Sequence, residues 1–128
     1  MGMVTINEDI CVGCKLCESS CAFGVPHVHS SDKKSKKCNM CIDRIQSYLN
    51  NGYSKKYYPV CAKTCTADAI YFGQREEMVA LAEKRVEELK SKYPDACTYN
   101  VDTNTKRGGG AMMYILPYKS SVYGLPDE

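Results

Sequence analysis

Cysteine spacing constrains this chain more than any other feature it has. Eight of its nine cysteines fall into two blocks, Cys11-x2-Cys14-x2-Cys17-x3-Cys21 and Cys38-x2-Cys41-x19-Cys61-x3-Cys65. The second repeats the first, with 19 residues standing where two would be expected. Thiols this closely spaced oblige their segments to loop around whatever they bind. Ligation, more than a large apolar core, can then dictate the shape of a chain of 128 residues.

The first block has the spacing that holds a bacterial 4Fe–4S cluster, in which the fourth cysteine serves the other cluster of a pair. Two clusters need eight thiolates, and the two blocks supply eight. Three cysteines at x2 spacing wrap one face of a cubane but do not easily reach its fourth iron. A cysteine from the other half completes it. The expected ligand sets are Cys11, Cys14, Cys17 and Cys65 for one cluster, and Cys21, Cys38, Cys41 and Cys61 for the other. This implies electron transfer, with no catalytic residue on the chain.

Three alternatives fit less well. Structural zinc accepts four thiolates but uses two separated Cys-x2-Cys pairs, so a third cysteine in the run is badly placed. A disulfide framework would pair cysteines too close in sequence to be good partners, and no secretory segment stands before them. A thioredoxin-like pair needs one such motif. His27 and His29 follow the first block, but no cysteine is missing for them to replace, so both are expected in a loop. Cys97 lies outside both blocks and reads as a spare thiol.

Composition points to one small domain with a tail, and no apolar run approaches the length of a membrane span. The formal charge of +2 counts cysteine as neutral. Eight bound thiolates and two oxidised cores of roughly 2+ each would bring the holoprotein near about −2, so nucleic acid is not an expected partner. The basic run Lys33-Lys34-Ser35-Lys36-Lys37 reads as a solvated loop.

The expected fold class is α+β: a bacterial dicluster ferredoxin-like domain with an inserted helix-loop, a C-terminal helix and an extended docking tail. The dicluster domain takes residues 1–73, with the insert at 42–60, and residues 74–128 form the helix and tail. Residues 3–6 and 69–73 read as two strands, paired antiparallel. The repeated blocks imply a pseudo-two-fold arrangement. In the insert, Ile42, Ile45 and Leu49 have helical spacing and Asn50-Asn51-Gly52 is a stop. The loop 53–59, with Tyr53, Tyr57 and Tyr58, is either a partner-binding surface or a cover over a cluster.

Residues 74–92 give a helix with the apolar stripe Met78, Ala82, Val86, Leu89 and Tyr93, a Glu88–Lys92 pair at i,i+4, and a stop at Pro94. Its apolar side is expected against the cluster domain, with another subunit as the alternative. Gly108-Gly109-Gly110 lacks the spacing of a phosphate loop and precedes a strand at 111–116 and a loose tail. A strand and tail with so little core of their own call for a partner subunit.

From Cys11 onward the chain resembles the second half of the iron–sulfur (beta) subunit of formate dehydrogenases, among the electron-transfer partners of molybdenum/tungsten bis-pterin oxidoreductases. The matching stretches are Asp9-Ile-Cys-Val-Gly-Cys-Lys-Leu-Cys17, Lys37-Cys-Asn-Met-Cys-Ile-Asp-Arg-Ile45, Pro59-Val-Cys-Ala-Lys-Thr-Cys65 and Ala69-Ile-Tyr-Phe-Gly73. Residues 82–89, the stretch around Tyr114 and Tyr123-Gly-Leu-Pro126 narrow the likeness to that subunit. The family usually carries sixteen cluster cysteines where this chain has eight, and some members have an anchor helix that is not found here. Ala22 and Thr66 stand where proline is usual.

The resemblance implies a relay to or from a molybdenum/tungsten-pterin catalytic subunit, with a further redox subunit as a possible partner. Other readings are the partner subunit of a tungsten aldehyde oxidoreductase or other pterin enzyme, and a free-standing ferredoxin. The expected location is cytoplasmic, with co-export on the catalytic partner as the alternative. Amides near Gly13 and Gly24, and buried Val12, Leu16, Ile42 and Val60, are expected around the ligand sulfurs, with Lys63 between two ligands as a charge that raises a potential or faces solvent.

Overall fold

Around the ligand loops some backbone amides turn toward cysteine sulfur, and the sheets stay short. In the computed structural model, residues 3–106 and 108–128 are described. The chain divides into two units, Met1–Ile70 and Tyr71–Glu128. The overall class is a small α+β protein with short sheets.

In the first unit, α1 (Leu16–Ser20) leads to a two-stranded antiparallel ladder of β1 (His27–Val28) and β2 (Ser35–Lys36). His27 pairs with Lys36 and Val28 with Ser35. The turn between them is set by its own polar groups. The His29 amide donates to the Lys34 carbonyl at 2.9 Å, the Lys34 amide to Asp32 Oδ1 at 3.0 Å, and Lys33 adopts φ +55°.

The strands expected at 3–6 and 69–73 do not form. The Ala69 amide is turned onto Cys65 Sγ at 3.3 Å, so it has no donor to offer a ladder. Near residues 3–6, the Val4 carbonyl takes the Lys37 ammonium.

Helix α2 (Ile42–Asn50) buries Ile45 and Tyr48. Leu49, expected on that face, is exposed. Tyr48 takes the apolar place and meets Tyr53 and Tyr58 edge-on, at 5.2 and 5.7 Å between ring centroids. The Tyr53 amide reaches back to the Tyr48 carbonyl across Gly52 at φ +64°, the glycine stop that the sequence implies. A 3-10 turn at Lys55–Tyr57 follows, pinned when Arg44 donates to the Tyr58 and Lys56 carbonyls, both at 2.7 Å. Helix α3 (Val60–Thr64) completes the unit.

The second unit packs α4 (Arg75–Lys90) on the antiparallel pair β3 (Cys97–Tyr99) and β4 (Tyr114–Leu116). Its core is Ala82, Val86, Ala96, Tyr99 and Leu116. The stripe read from the sequence is the packed face, with Met78, Leu89 and Tyr93 half-buried at its margins. Glu88 pairs with Arg85 at 2.7 Å, one turn back, and Lys92 instead lies over the Tyr93 ring. The strand expected at 111–116 is shortened to β4, and its partner contains Cys97, whose thiol faces the Tyr118 carbonyl at 3.7 Å.

The glycine run is a clasp. Arg75 donates to the Gly110 and Val101 carbonyls at 2.6 and 2.8 Å, and a Cβ on Gly110 would stand 2.2 Å from Asn100 Nδ2. The tail is not loose. Tyr99, 1% exposed, donates its hydroxyl to the Pro126 carbonyl at 2.7 Å, and Glu128 accepts the Asn100 amide.

Candidate metal centre

All eight block cysteines lie in the first unit, and all nine cysteines of the chain are free thiols. The two blocks build the same local frame twice. Helix α1 begins one residue before Cys17 and ends one before Cys21; α3 begins one before Cys61 and ends one before Cys65. Cys21 and Cys65 then take nearly the same extended backbone, φ −81°, ψ 113° and φ −69°, ψ 104°. Three residues further on, the amide of Gly24 returns to the Cys21 carbonyl at 3.0 Å, and that of Asp68 to the Cys65 carbonyl at 3.2 Å. Both turn residues have positive φ, +63° and +47°. The positions between the first two cysteines of each block match too, with Gly13 at φ +70° and Met40 at +55°.

This frame aims amides at sulfur. The Cys21 thiol is held below its ordinary pKa by the backbone amide of Val25 first, then those of Phe23 and Gly24. For Cys65 the amide of Ala69 leads, followed by those of Ala67 and Ile70. The Cys11 thiol is lowered first by the Ser35 amide, then by that of Gly13, with Lys34 adding its charge. Met40 donates to Cys38 Sγ at 3.3 Å. N–H donors directed at sulfur stabilise the deprotonated form that a metal requires. The amides of Gly13 and Gly24 therefore stand where the sequence places them. A set of thiolates fed by backbone amides and free of disulfides suits iron–sulfur ligation.

Other expectations are corrected. Val12, Leu16 and Val60 are 83%, 68% and 51% exposed, and Ile42 is half-buried. The basic run is a brace. Lys34 donates to the Cys11 carbonyl at 2.7 Å, Lys36 pairs with Glu8 and Asp32 at 2.5 and 3.1 Å, and Lys37 holds the Val4 carbonyl. His27 sits in β1 and pairs with Glu18 of α1 at 3.0 Å, while His29, outside the strands, bonds Ser31 at 2.8 Å. Lys63 is exposed on α3.

Ser35 escapes any reading of the sequence. It lies within the lysine run, yet its side chain is 3% exposed, its amide donates to Cys11 Sγ at 3.4 Å and its Oγ is 3.2 Å from Cys17 Sγ. Ser35 thus brings Cys11 and Cys17 around one residue. Among the described residues no three His, Cys, Asp or Glu side chains gather as they would around a single metal ion.

Residues 1–75 match the family described as the 4Fe-4S dicluster domain. The chain belongs to that family. Two 4Fe–4S clusters are the cofactors of this dicluster domain, in keeping with its two cysteine blocks. Three relatives refine the likeness. The formate dehydrogenase, nitrate-inducible, iron-sulfur subunit of Escherichia coli (strain K12) is 35% identical over 131 residues, covering 99% of this chain and 41% of the relative. The formate dehydrogenase iron-sulfur subunit of Haemophilus influenzae is 37% identical over 131 residues, 99% and 38% of the two chains. The formate dehydrogenase 2 subunit beta (cytochrome c-553) of Nitratidesulfovibrio vulgaris is 34% identical over 88 residues, 69% of this chain and 36% of the relative. The dicluster chain thus spans about two-fifths of the length of the curated relatives it matches.

Proposed function

We propose that this chain is an electron-transfer subunit of a formate dehydrogenase-like oxidoreductase, working beside a molybdenum/tungsten-pterin catalytic subunit. The observation that carries the reading is the doubled frame, in which α1 and α3 present Cys17–Cys21 and Cys61–Cys65 in nearly the same way. Likeness over nearly the whole chain to formate dehydrogenase iron–sulfur subunits supplies the partner class.

In this reading Cys11, Cys14, Cys17 and Cys65 ligate one cluster, and Cys21, Cys38, Cys41 and Cys61 the other. Bound clusters supply one-electron transfer. The protein contributes thiolates, amides aimed at Cys11, Cys21, Cys38 and Cys65, and a lysine brace that fixes the first ligand loop. Residues 1–73 form the dicluster part, with 42–60 as its insert, and 74–128 a helix and tail for docking on the partner. A further redox subunit and a cytoplasmic location belong to the same proposal.

One observation favours a self-contained ferredoxin instead. The tail returns to its own unit through the Tyr99–Pro126 and Asn100–Glu128 bonds, which leaves less of it for a partner. Metal analysis of the complex purified anaerobically through this chain separates the two. About eight irons per copy with molybdenum or tungsten in a large co-purifying subunit supports the proposal. The same iron with neither metal supports the ferredoxin, and zinc without iron overturns both.

A further inference from the structure

Among the described residues Ser35 is the buried polar one, and its surroundings leave little choice about its role. The ladder partner Val28 fixes its backbone, and Lys34 anchors the preceding residue to the Cys11 carbonyl at 2.7 Å. The hydroxyl lies 3.2 Å from Cys17 Sγ, so one of the two atoms must donate. A ligating thiolate has no proton to give. The hydroxyl is therefore the donor, in an O–H···S bond to a sulfur whose negative charge grows when the site is reduced. A donor fixed at that sulfur favours the reduced form.

We propose that the Ser35 hydroxyl tunes the reduction potential of the cluster held by Cys11, Cys14 and Cys17, through its bond to Cys17. Ser35 is a positioning residue for electron transfer, and the inference rests on the two-cluster reading above. Its amide on Cys11 survives substitution, so the side chain can be tested alone. In S35A the holoprotein should keep its iron, while one midpoint of the two falls and the other stays. The expected effect is about a tenfold shift toward the oxidised form, about 59 mV for a one-electron couple. S35T, which keeps the hydroxyl, should restore the wild-type value.

The test is a redox titration of wild type, S35A and S35T, followed by electron paramagnetic resonance, with iron measured on each sample. A lowered midpoint in S35A, rescued in S35T, supports the proposal. Two unmoved midpoints at full iron overturn it, as does an S35T value as low as that of S35A. The unmodified protein gives a second readout that needs no variant. A brief transfer to D2O replaces a hydroxyl proton before hydrogen-bonded amide protons exchange. Loss of one strong proton coupling from a reduced cluster supports the donor, and no early loss overturns it. Absence of iron from wild type would instead sink the two-cluster reading, so the two failures are distinguishable.

Discussion

Replacing Gly13 by alanine should release one cluster and spare the other. Gly13 has φ +70°, a left-handed conformation that costs a side-chain-bearing residue roughly 1–2 kcal/mol. Its added Cβ would stand 2.2 Å from the Lys33 carbonyl oxygen, far inside van der Waals contact and against backbone. The β1–β2 turn has to back away. Two bonds to the ligand loop then stretch. The Lys34 ammonium on the Cys11 carbonyl, at 2.7 Å, is worth about 1.5–2 kcal/mol for a half-buried charged donor. The Ser35 amide on Cys11 Sγ, at 3.4 Å, adds about 1 kcal/mol. The total is about 4 kcal/mol, on the order of a thousandfold in cluster retention at one decade per 1.4 kcal/mol.

Gly24 supplies the control within the same unit. It has φ +63°, but nothing lies within 4 Å of an added Cβ, so G24A carries the backbone term alone, about 1–2 kcal/mol. The assay is iron retention under increasing chelator, anaerobically, with wild type, G24A and G13A side by side. G13A should fall to about four irons at chelator levels that leave about eight in wild type and most of them in G24A. Equal retention by G13A and G24A would refute the reasoning, because the extra loss expected of G13A comes from the Lys33 contact.

Further predictions concern single residues or iron itself. Replacing Met40, at φ +55°, by glycine relieves the strain that Gly13 avoids in the other block; M40G should stabilise the holoprotein by about 0.5–1 kcal/mol in urea titration, and a loss would contradict this. R75A removes the donors to the Gly110 and Val101 carbonyls and should cost about 2 kcal/mol in the unfolding of the second unit, followed by tyrosine fluorescence. Y99F, which loses the hydroxyl bond to Pro126 at a residue almost wholly buried, should cost about 1–2 kcal/mol and free the tail, read as faster proteolysis near residue 126. Chelating all iron should abolish amide protection around the ligand loops, while α4, β3 and β4 keep theirs, because their core of Val86, Tyr99 and Leu116 contains no block cysteine.

What the sequence discloses depends on whether a residue's role is set by spacing or by its neighbours in space. Cysteine spacing is local, so the two blocks, their repeat and the amides near Gly13 and Gly24 could be read directly, as could the stripe of α4 and the stop at Gly52. Residues 69–73 look like a strand because they are apolar and β-prone, yet the Cys65 thiol outbids any ladder for the Ala69 amide. No propensity encodes that competition. Ser35 is the sharper case, since a serine flanked by two lysines on each side reads as solvent-exposed loop. In the hairpin Ser35 pairs with Val28 and is buried, while Lys34 reaches the Cys11 carbonyl and Lys36 reaches Glu8, and only the pairing with Val28 reveals it. Donors beside the ligands are visible in the spacing, but the residue that touches two of the ligands comes from a hairpin 18 and 24 residues away. In so small a unit the brace and the ligand loop are one device: the lysines hold the hairpin against Cys11, and the hairpin brings a hydroxyl to Cys17.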